Sequence, residues 1–383
     1  MIDFFVNNTQ TTQMTGRVSA ADSHTSVTGT LMGQKAQLVD SPMDLLADAA
    51  EELTFGADTT DEFELEEREE RDRAAEAMEE RVRLYQDLMH EAGKAEDIDR
   101  LKDGIRAKEG QESAIRQAKH RFPDPSDAWA ALAEVLADLE REEAANPGSV
   151  GETVLSDVRA GLAELEKESG PQIRAGIQGA LAAAGFSDLG SSDELRGFYR
   201  QTVCDFQTVN DVFTHVLEKY GDVGFDKAMD FLFHALGNDL ATDVPSMETT
   251  HLEYVQSSLG QVRLLQSAHV LCEKLLHRWE TVHAGKASCT SLELLGDIVN
   301  LRNEKFIGSL QIDRIMAKAR PSDIEHEVLF LQELLNTARS FPSKLFDGDQ
   351  GRMKVIDAIQ ESVDKAIERE DAFLASQEGT GND

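Results

Sequence analysis

The sequence predicts an all-α protein, and three observations carry that expectation. Proline is scarce, with 8 residues in 383, while the helix formers Ala, Leu and Glu are abundant. Apolar residues recur at steps of three and four through most of the chain. Strict apolar–polar alternation nowhere runs beyond a few residues, so no strand is expected. The hydrophobic content of 40% is enough for packed cores, and the length suits two or three domains.

The elements follow in chain order. Residues 1–41 are dense in Ser, Thr, Asn and Gln, carry few charges and show no sustained period. Such a segment buries too little apolar surface to offset its ordering entropy, so disorder is expected there. Composition alone leaves open whether it is a floppy tail or an export address kept unfolded for threading. At Pro42 the character changes. Ser41 suits an N-cap and Pro42 a first helical position, and Leu45, Leu46, Ala49, Leu53 and Phe55 form a rough stripe. Residues 61–93 begin with almost no apolar face and regain one through Met78, Val82, Tyr85 and Met89. That pattern suits either a solvated charged helix or a helix that binds another protein.

An amphipathic helix is expected over 94–120, through Ile98, Leu101, Ile105, Ile115 and Ala118. "RFPDPSDAW" breaks it, with Ser126 or Asp127 as the next cap. Helices are predicted at 127–144, 152–168 and 171–185, then at 193–205, 207–220 and 225–240. Glycines in "YGDVG" separate the last two. A long helix over 248–282 carries Leu252, Val255, Leu259, Val262, Leu265, Ala268, Leu271, Leu275 and Trp279. The final helices are expected at 291–302, 309–318, 322–340 and 349–375. The folded part divides into three clusters of about 90–110 residues, each suited to a helical domain.

The formal net charge of −34 opposes phosphate backbones and anionic lipid, so nucleic acid and membrane surfaces are not expected partners. Basic or mixed-charge protein surfaces are. Cys204, Cys272 and Cys289 are too few and too far apart for a disulfide framework and fit a reducing cytoplasm. No apolar run approaches a membrane span, and "MIDFFVNNTQ" lacks the pattern of a Sec-type signal.

Motifs for chemistry mostly fail on inspection. "FDGDQGRMKV" opens like a calcium loop at Asp347, with Asp349 third. Its fifth position is Gly351, its sixth Arg352 where glycine must turn, and its twelfth Ala358 where a bidentate Glu is needed. Asp349 is read instead as the N-cap of a helix from Gln350. His269, Cys272, His277, His283 and Cys289 match no structural zinc spacing. "HAGKAS" has Glu280 and Ala287 where a phosphate loop needs Gly and Ser or Thr. No catalytic, cofactor or metal residue is assigned.

Two stretches, read together, resemble a known family. The first is residues 195–240, with Leu195, Phe198, Tyr199 and Arg200 opening it, Tyr220–Gly221 breaking it, and Phe231, Leu232, Ala235, Leu236, Gly237, Asp239 and Leu240 closing it. The second is residues 330–371, with Phe330, Leu331, Glu333, Leu334, Arg339, Pro342, Leu345, Phe346, Arg352, Gln360, Asp364, Ala366, Ile367 and Glu370. Together they look like the type III secretion gatekeeper family, the YopN–TyeA, MxiC, InvE and HrpJ group, with a TyeA-like module fused at the C-terminus.

The resemblance implies an elongated rod of three consecutive helical-bundle domains behind a disordered N-terminal segment. The expected divisions are 1–41 export signal, 42–93 chaperone-binding segment and acidic helix, 94–190, 191–286 and 287–377 helical domains, and 378–383 tail. It implies a non-enzymatic gatekeeper that blocks premature effector secretion and lets translocators go first. Implied partners are a chaperone pair on the N-terminal segment, export-gate or sorting-platform proteins, and translocator–chaperone complexes. Leu45, Leu46, Leu53, Phe55 and Phe63 are the candidate chaperone anchors. The implied place is the bacterial cytoplasm at the face of the secretion apparatus, with secretion or surface association after activation. An exported all-α effector enzyme and a helical adaptor outside secretion are the competing readings.

Overall fold

The computed structural model describes residues 76–107, 112–206, 208–242, 249–283 and 285–380. Among these residues every regular element is helical and no strand occurs, as the sequence predicts. The expectations for residues 1–75, including the leader and the stripe after Pro42, lie outside the described residues. Two compact units are distinguished: the described residues up to Cys204 with His234–Gln256, and Asp205–Phe233 with Ser257 onward.

The first unit opens with α1 (76–91), whose Tyr85 and Met89 are buried and whose Met78 and Val82 pack beside them. Helices α2 (Ala95–Ala107) and α3 (Ala114–Arg121) follow. The single helix expected over 94–120 is thus two helices. Ile98, Leu101 and Ile105 share one face, but Ile115 falls about 80° out of phase with Ile105 at 100° per residue. Ser113 is extended, at φ −64° and ψ 146°.

Helix α4 (Pro125–Ala145) begins two residues before the expected start, and its cap is neither Ser126 nor Asp127. Asp124 holds that position and accepts from the Ser126 N–H at 2.9 Å, with Pro125 in the first turn where a missing N–H costs nothing. Ser126 and Asp127 are buried instead. Helix α5 (Glu152–Ala183) merges the two helices expected at 152–168 and 171–185. The break lies at Ser169, at φ −140°, two residues before Pro171.

Helix α6 (Ser192–Cys204) lies against the second half of α5. Small residues set that approach. A Cβ on Gly179 would sit 3.0 Å from Tyr199 Cβ and 3.1 Å from the Arg196 Cα. A Cβ on Gly176 would sit 2.0 Å from Ser126 Oγ. Leu195, Phe198 and Tyr199 of α6 are buried.

The second unit contains the early part of α7 (Val209–Thr242), in which Gly221 adopts φ 64° and ψ −173°. The stop and restart expected between 220 and 225 is this one residue, in a conformation open to glycine at little cost. Helix α8 (Thr249–Val282) buries Leu259, Val262, Leu265, Ala268, Cys272, Leu275 and Trp279 within this unit. Leu271, expected on that stripe, is only half-buried. Helix α9 (Ser291–Leu301) carries a capping box. The Thr290 N–H donates to Glu293 Oε2 at 2.9 Å, and the Glu293 N–H to Thr290 Oγ1 at 3.1 Å.

Helices α10 (Ser309–Ala319), α11 (Ile324–Ser340) and α12 (Asp349–Thr380) complete the unit, with a 3-10 turn at Ser343–Phe346. The stretch "FDGDQGRMKV" is the reversal between α11 and α12. Asp347 and Gly348 both take left-handed backbone, at φ 59° and 104°. Asp349 is the first helical residue and not the cap. The preceding Gly348 carbonyl accepts from the Arg352 N–H at 3.1 Å, while the Asp349 carboxylate accepts from the Arg352 guanidinium at 3.1 Å. Asp347 is held by an ion pair to Arg302 at the end of α9. The sequence reads Gly351 as a misplaced calcium-loop residue; sterically it is required. A Cβ there would lie 1.6 Å from the Phe346 carbonyl oxygen.

Candidate interaction sites

The most concentrated chemistry in the first unit is a charge cluster joining α1, α4 and α6. Arg196 donates to the Tyr85 hydroxyl oxygen at 2.7 Å and to Asp127 Oδ1 at 3.0 Å. Tyr85 in turn donates to Asp127 Oδ1 at 2.6 Å, and Lys94 donates to Asp127 Oδ2 at 2.7 Å. The second Arg196 nitrogen faces Asp193 at 2.9 Å and Asp124 at 3.4 Å. Arg200 grips Asp124 with both terminal nitrogens, each at 2.9 Å. Its Nε donates to the Gln172 carbonyl at 3.1 Å, next to the α5 kink. Three carboxylates therefore face three cations, with a planar fork where geometry is most demanding.

The titration of the cluster follows from this pairing. Burial and the Asp127 charge push the Tyr85 hydroxyl well up. Burial works against the Arg196 cation, but the surrounding oxygens outweigh it and its pKa rises. Burial works to raise the Asp124 carboxyl, and Arg200 and Arg196 bring it below its ordinary value. Perturbed groups of this kind also mark active sites. Here each is satisfied by a neighbour, and the cleft of about 370 Å³ beside them takes its walls from Tyr85, Lys94, Asp127, Asp193 and Arg196. Among the described residues Lys94, Arg196 and Arg200 each have a carboxylate partner, and the further carboxylate on the wall, Glu91, is exposed to water. The cluster fastens helices.

A second arrangement in the other unit has the residue types of a hydrolytic triad. His269 Nε2 lies 3.1 Å from Ser291 Oγ, and His269 Nδ1 lies 3.4 Å from Asp226 Oδ1. The Asp226 side chain is 79% exposed, so water screens the charge that would have to stabilise an imidazolium. Phe225 packs edge-on against the ring at 5.1 Å. The geometry is that of a packed histidine.

The residues weighed for zinc do not come together as a ligand set. Cys272 and Cys289 are buried thiols, whereas His283 approaches Glu333 at 3.2 Å. Among the described residues no group of three or more His, Cys, Asp or Glu side chains is placed to hold a metal.

The third feature is the seat of the C-terminal helices on α8. Trp279 is buried. It meets Phe330 edge-on at 5.2 Å, His326 edge-on at 5.8 Å and His283 at 5.7 Å. A Cβ on Gly285 would fall 2.0 Å from the indole. Beside this cage the buried Glu333 receives Arg278 at 3.1 Å and His283 at 3.2 Å. The α8 end thus touches α11 through one large aromatic and one paired carboxylate. Replacing Trp279 with Phe is expected to cost about 1–2 kcal/mol. A guanidinium titration of the full chain followed by amide exchange in α11 measures it.

Leu45, Leu46, Leu53, Phe55 and Phe63 lie outside the described residues. Among the described residues past α9 the most exposed large apolar side chains are Phe306, in the loop before α10, Leu310, Phe373 and Leu374. The sequence offered no signal separating these from core positions, since Phe373 and Leu374 continue an apolar period.

Comparison with known proteins follows the same two stretches. The HrpJ-like domain family matches residues 57–220, and the TyeA family matches residues 292–372. Together they span well over half of the chain. Protein MxiC of Shigella flexneri is 24% identical over 259 residues, covering 67% of this chain and 69% of that protein. Outer membrane protein YopN of Yersinia enterocolitica is 25% identical over 248 residues, covering 62% of this chain and 82% of that protein. The solved structure of methylated Shigella flexneri MxiC superposes with a TM-score of 0.54 at 20% identity, covering 72% of this chain and 94% of that one. That likeness speaks for the fold. With the HrpJ-like and TyeA matches in series on one all-α chain, this protein belongs to the type III secretion gatekeeper family and carries its TyeA module at its own C-terminus.

Proposed function

We propose that this chain performs the family's gatekeeping as an obstacle and docking body, without catalysis. The observation that carries the reading is the serial HrpJ-like and TyeA match on one polypeptide. The Trp279 cage and the Glu333 pairs support a TyeA module that works in cis, already seated on α8 without a separate partner. The mutual satisfaction of the Arg196 cluster supports a structural role for the most perturbed groups of the first unit.

In this reading residues 1–41 are the export signal. Of residues 42–93, the part before α1 binds a chaperone pair, with Leu45, Leu46, Leu53, Phe55 and Phe63 as anchors, since the apolar face of α1 is buried in the first unit, and the helical domains at 94–190, 191–286 and 287–377 dock on export-gate or sorting-platform proteins. The place of action is the cytoplasmic face of the apparatus. Among the described residues no helix is long and apolar enough to cross a membrane.

A deletion strain tests the role. Effectors should appear in the medium before host contact, and translocators should lose their lead, with the full chain restoring both. A strain that keeps both the block and the order refutes gatekeeping. A chain lacking residues 42–75 should lose its chaperone in pull-down from cells expressing the pair; intact capture refutes the anchor assignment alone.

A further inference from the structure

Helix α12 outruns the body it packs on. Arg352 at its start donates to the Phe341 carbonyl at 3.3 Å, just past the end of α11. Arg369 pairs with Glu327 in the first turn of α11, so the two helices run antiparallel and α12 has reached the far end of α11 by Arg369. It continues to Thr380. From Asp371 to Ser376 every side chain is exposed.

The apolar seam does not stop where the body stops. Val355, Ile359, Val363 and Ala366 are buried along α12 at steps of three and four. Past Ala366 the stripe passes the half-buried Glu370 and turns apolar again at Phe373, two turns on, which is 51% exposed with Leu374 at 52%. A helix end that faces only water carries polar residues on such a stripe. Around it the exposed charges are mostly acidic: Glu325 on α11, its N-cap Asp323, which also holds His326, and Glu368 and Asp371 on α12, against the exposed Arg320 just before α11. The cations of α12 on this stretch are engaged, Arg369 with Glu327 and Lys365 with Glu361.

We propose that this end of α12, with the first turn of α11, is a docking surface for an amphipathic helix of a partner protein whose apolar stripe is flanked by Lys or Arg. A helix suits the seam because its ridges continue the packing that α11 provides lower down. The acidic surround sets the charge of the occupant. A second copy of this chain would bring the same four carboxylates face to face, so it is disfavoured. The proposal deepens the docking role above by naming a surface and a partner chemistry.

The test uses the full chain and a labelled synthetic helix of Leu and Lys, with a helix of Leu and Glu as counterpart, read by fluorescence anisotropy. The Leu–Lys helix should bind, and the Leu–Glu helix should not. The double variant Phe373→Ser with Leu374→Ser should weaken binding about tenfold or more, because exposed apolar anchors dominate such contacts. Its melting temperature should match the parent, since both side chains lie beyond the packed body. Asp371→Asn should weaken binding less. Equal binding by the double variant overturns the proposal, because the peptide is then held by general negative charge. A parent that sediments as a dimer, and a double variant that sediments as a monomer, overturns it in favour of self-association. The deletion strain bears only on gatekeeping, so the two readings fail separately.

Discussion

Replacing Arg196 with Leu is expected to destabilise the first unit by about 3–5 kcal/mol, the range for removing one partner from a buried ionic cluster. Among the described residues the Arg196 guanidinium alone touches Tyr85, Asp127, Asp124 and Asp193 together. Without it Asp127 keeps Lys94 and Tyr85, but the cluster holds three carboxylates against two cations in a partly dry setting. Amide exchange gives the cleanest readout. Protection should fall in α1, α4 and α6 while α11 and α12 keep theirs. A triple replacement, Arg196→Leu with Asp127→Leu and Tyr85→Phe, should recover part of the loss, because Asp124 keeps Arg200 and the charges left without partners, Lys94 and Asp193, reach solvent. A single variant that unfolds within about 0.5 kcal/mol of the parent would show the cluster to be decorative.

The second large effect is expected at Gly351. Valine there should cost the second unit about 3 kcal/mol or more, since a backbone carbonyl stands where its Cβ must go and no side-chain rotation relieves it. The first turn of α12 would have to lift off the Ser343–Phe346 turn, which also strains the left-handed pair Asp347 and Gly348. Asp347→Asn, which removes only the surface pair with Arg302, should cost under about 1 kcal/mol. Thermal unfolding of the two variants side by side separates a steric requirement from an electrostatic one. Equal melting temperatures would refute it.

Much of the helical fold is legible in the sequence because burial writes itself as a period. The stripes of α2 and α8 name most of their own buried residues. Breaks are legible where a residue type forces them, as at Gly221 and around Pro171. The split of 94–120 was readable in principle, through the phase slip between Ile105 and Ile115, but a list of apolar positions conceals it. The α4 cap was misplaced because Asp124, Ser126 and Asp127 are all competent caps, and only their tertiary partners decide among them. Arg196 was invisible for a different reason. Its partners lie 69 residues away at Asp127 and 111 away at Tyr85, and nothing local distinguishes it from a solvated arginine. Gly351 was misjudged because glycine records what is absent around it. The overhang of α12 is likewise unreadable, since periodicity reports an apolar face and not whether anything covers it.

The sulfur chemistry of the second unit gives the chain a clock. Burial pushes the Cys272 thiol far up, with the neighbouring Cys289 and Glu273 charges adding to it, and Cys289 is raised as well. Little attacking thiolate exists at neutral pH while α8 stays packed, so an alkylating reagent must wait for an opening event. Cys204, half-buried in the other unit, follows its own schedule. The time course of alkylation in the intact protein therefore reports separately how often each body breathes.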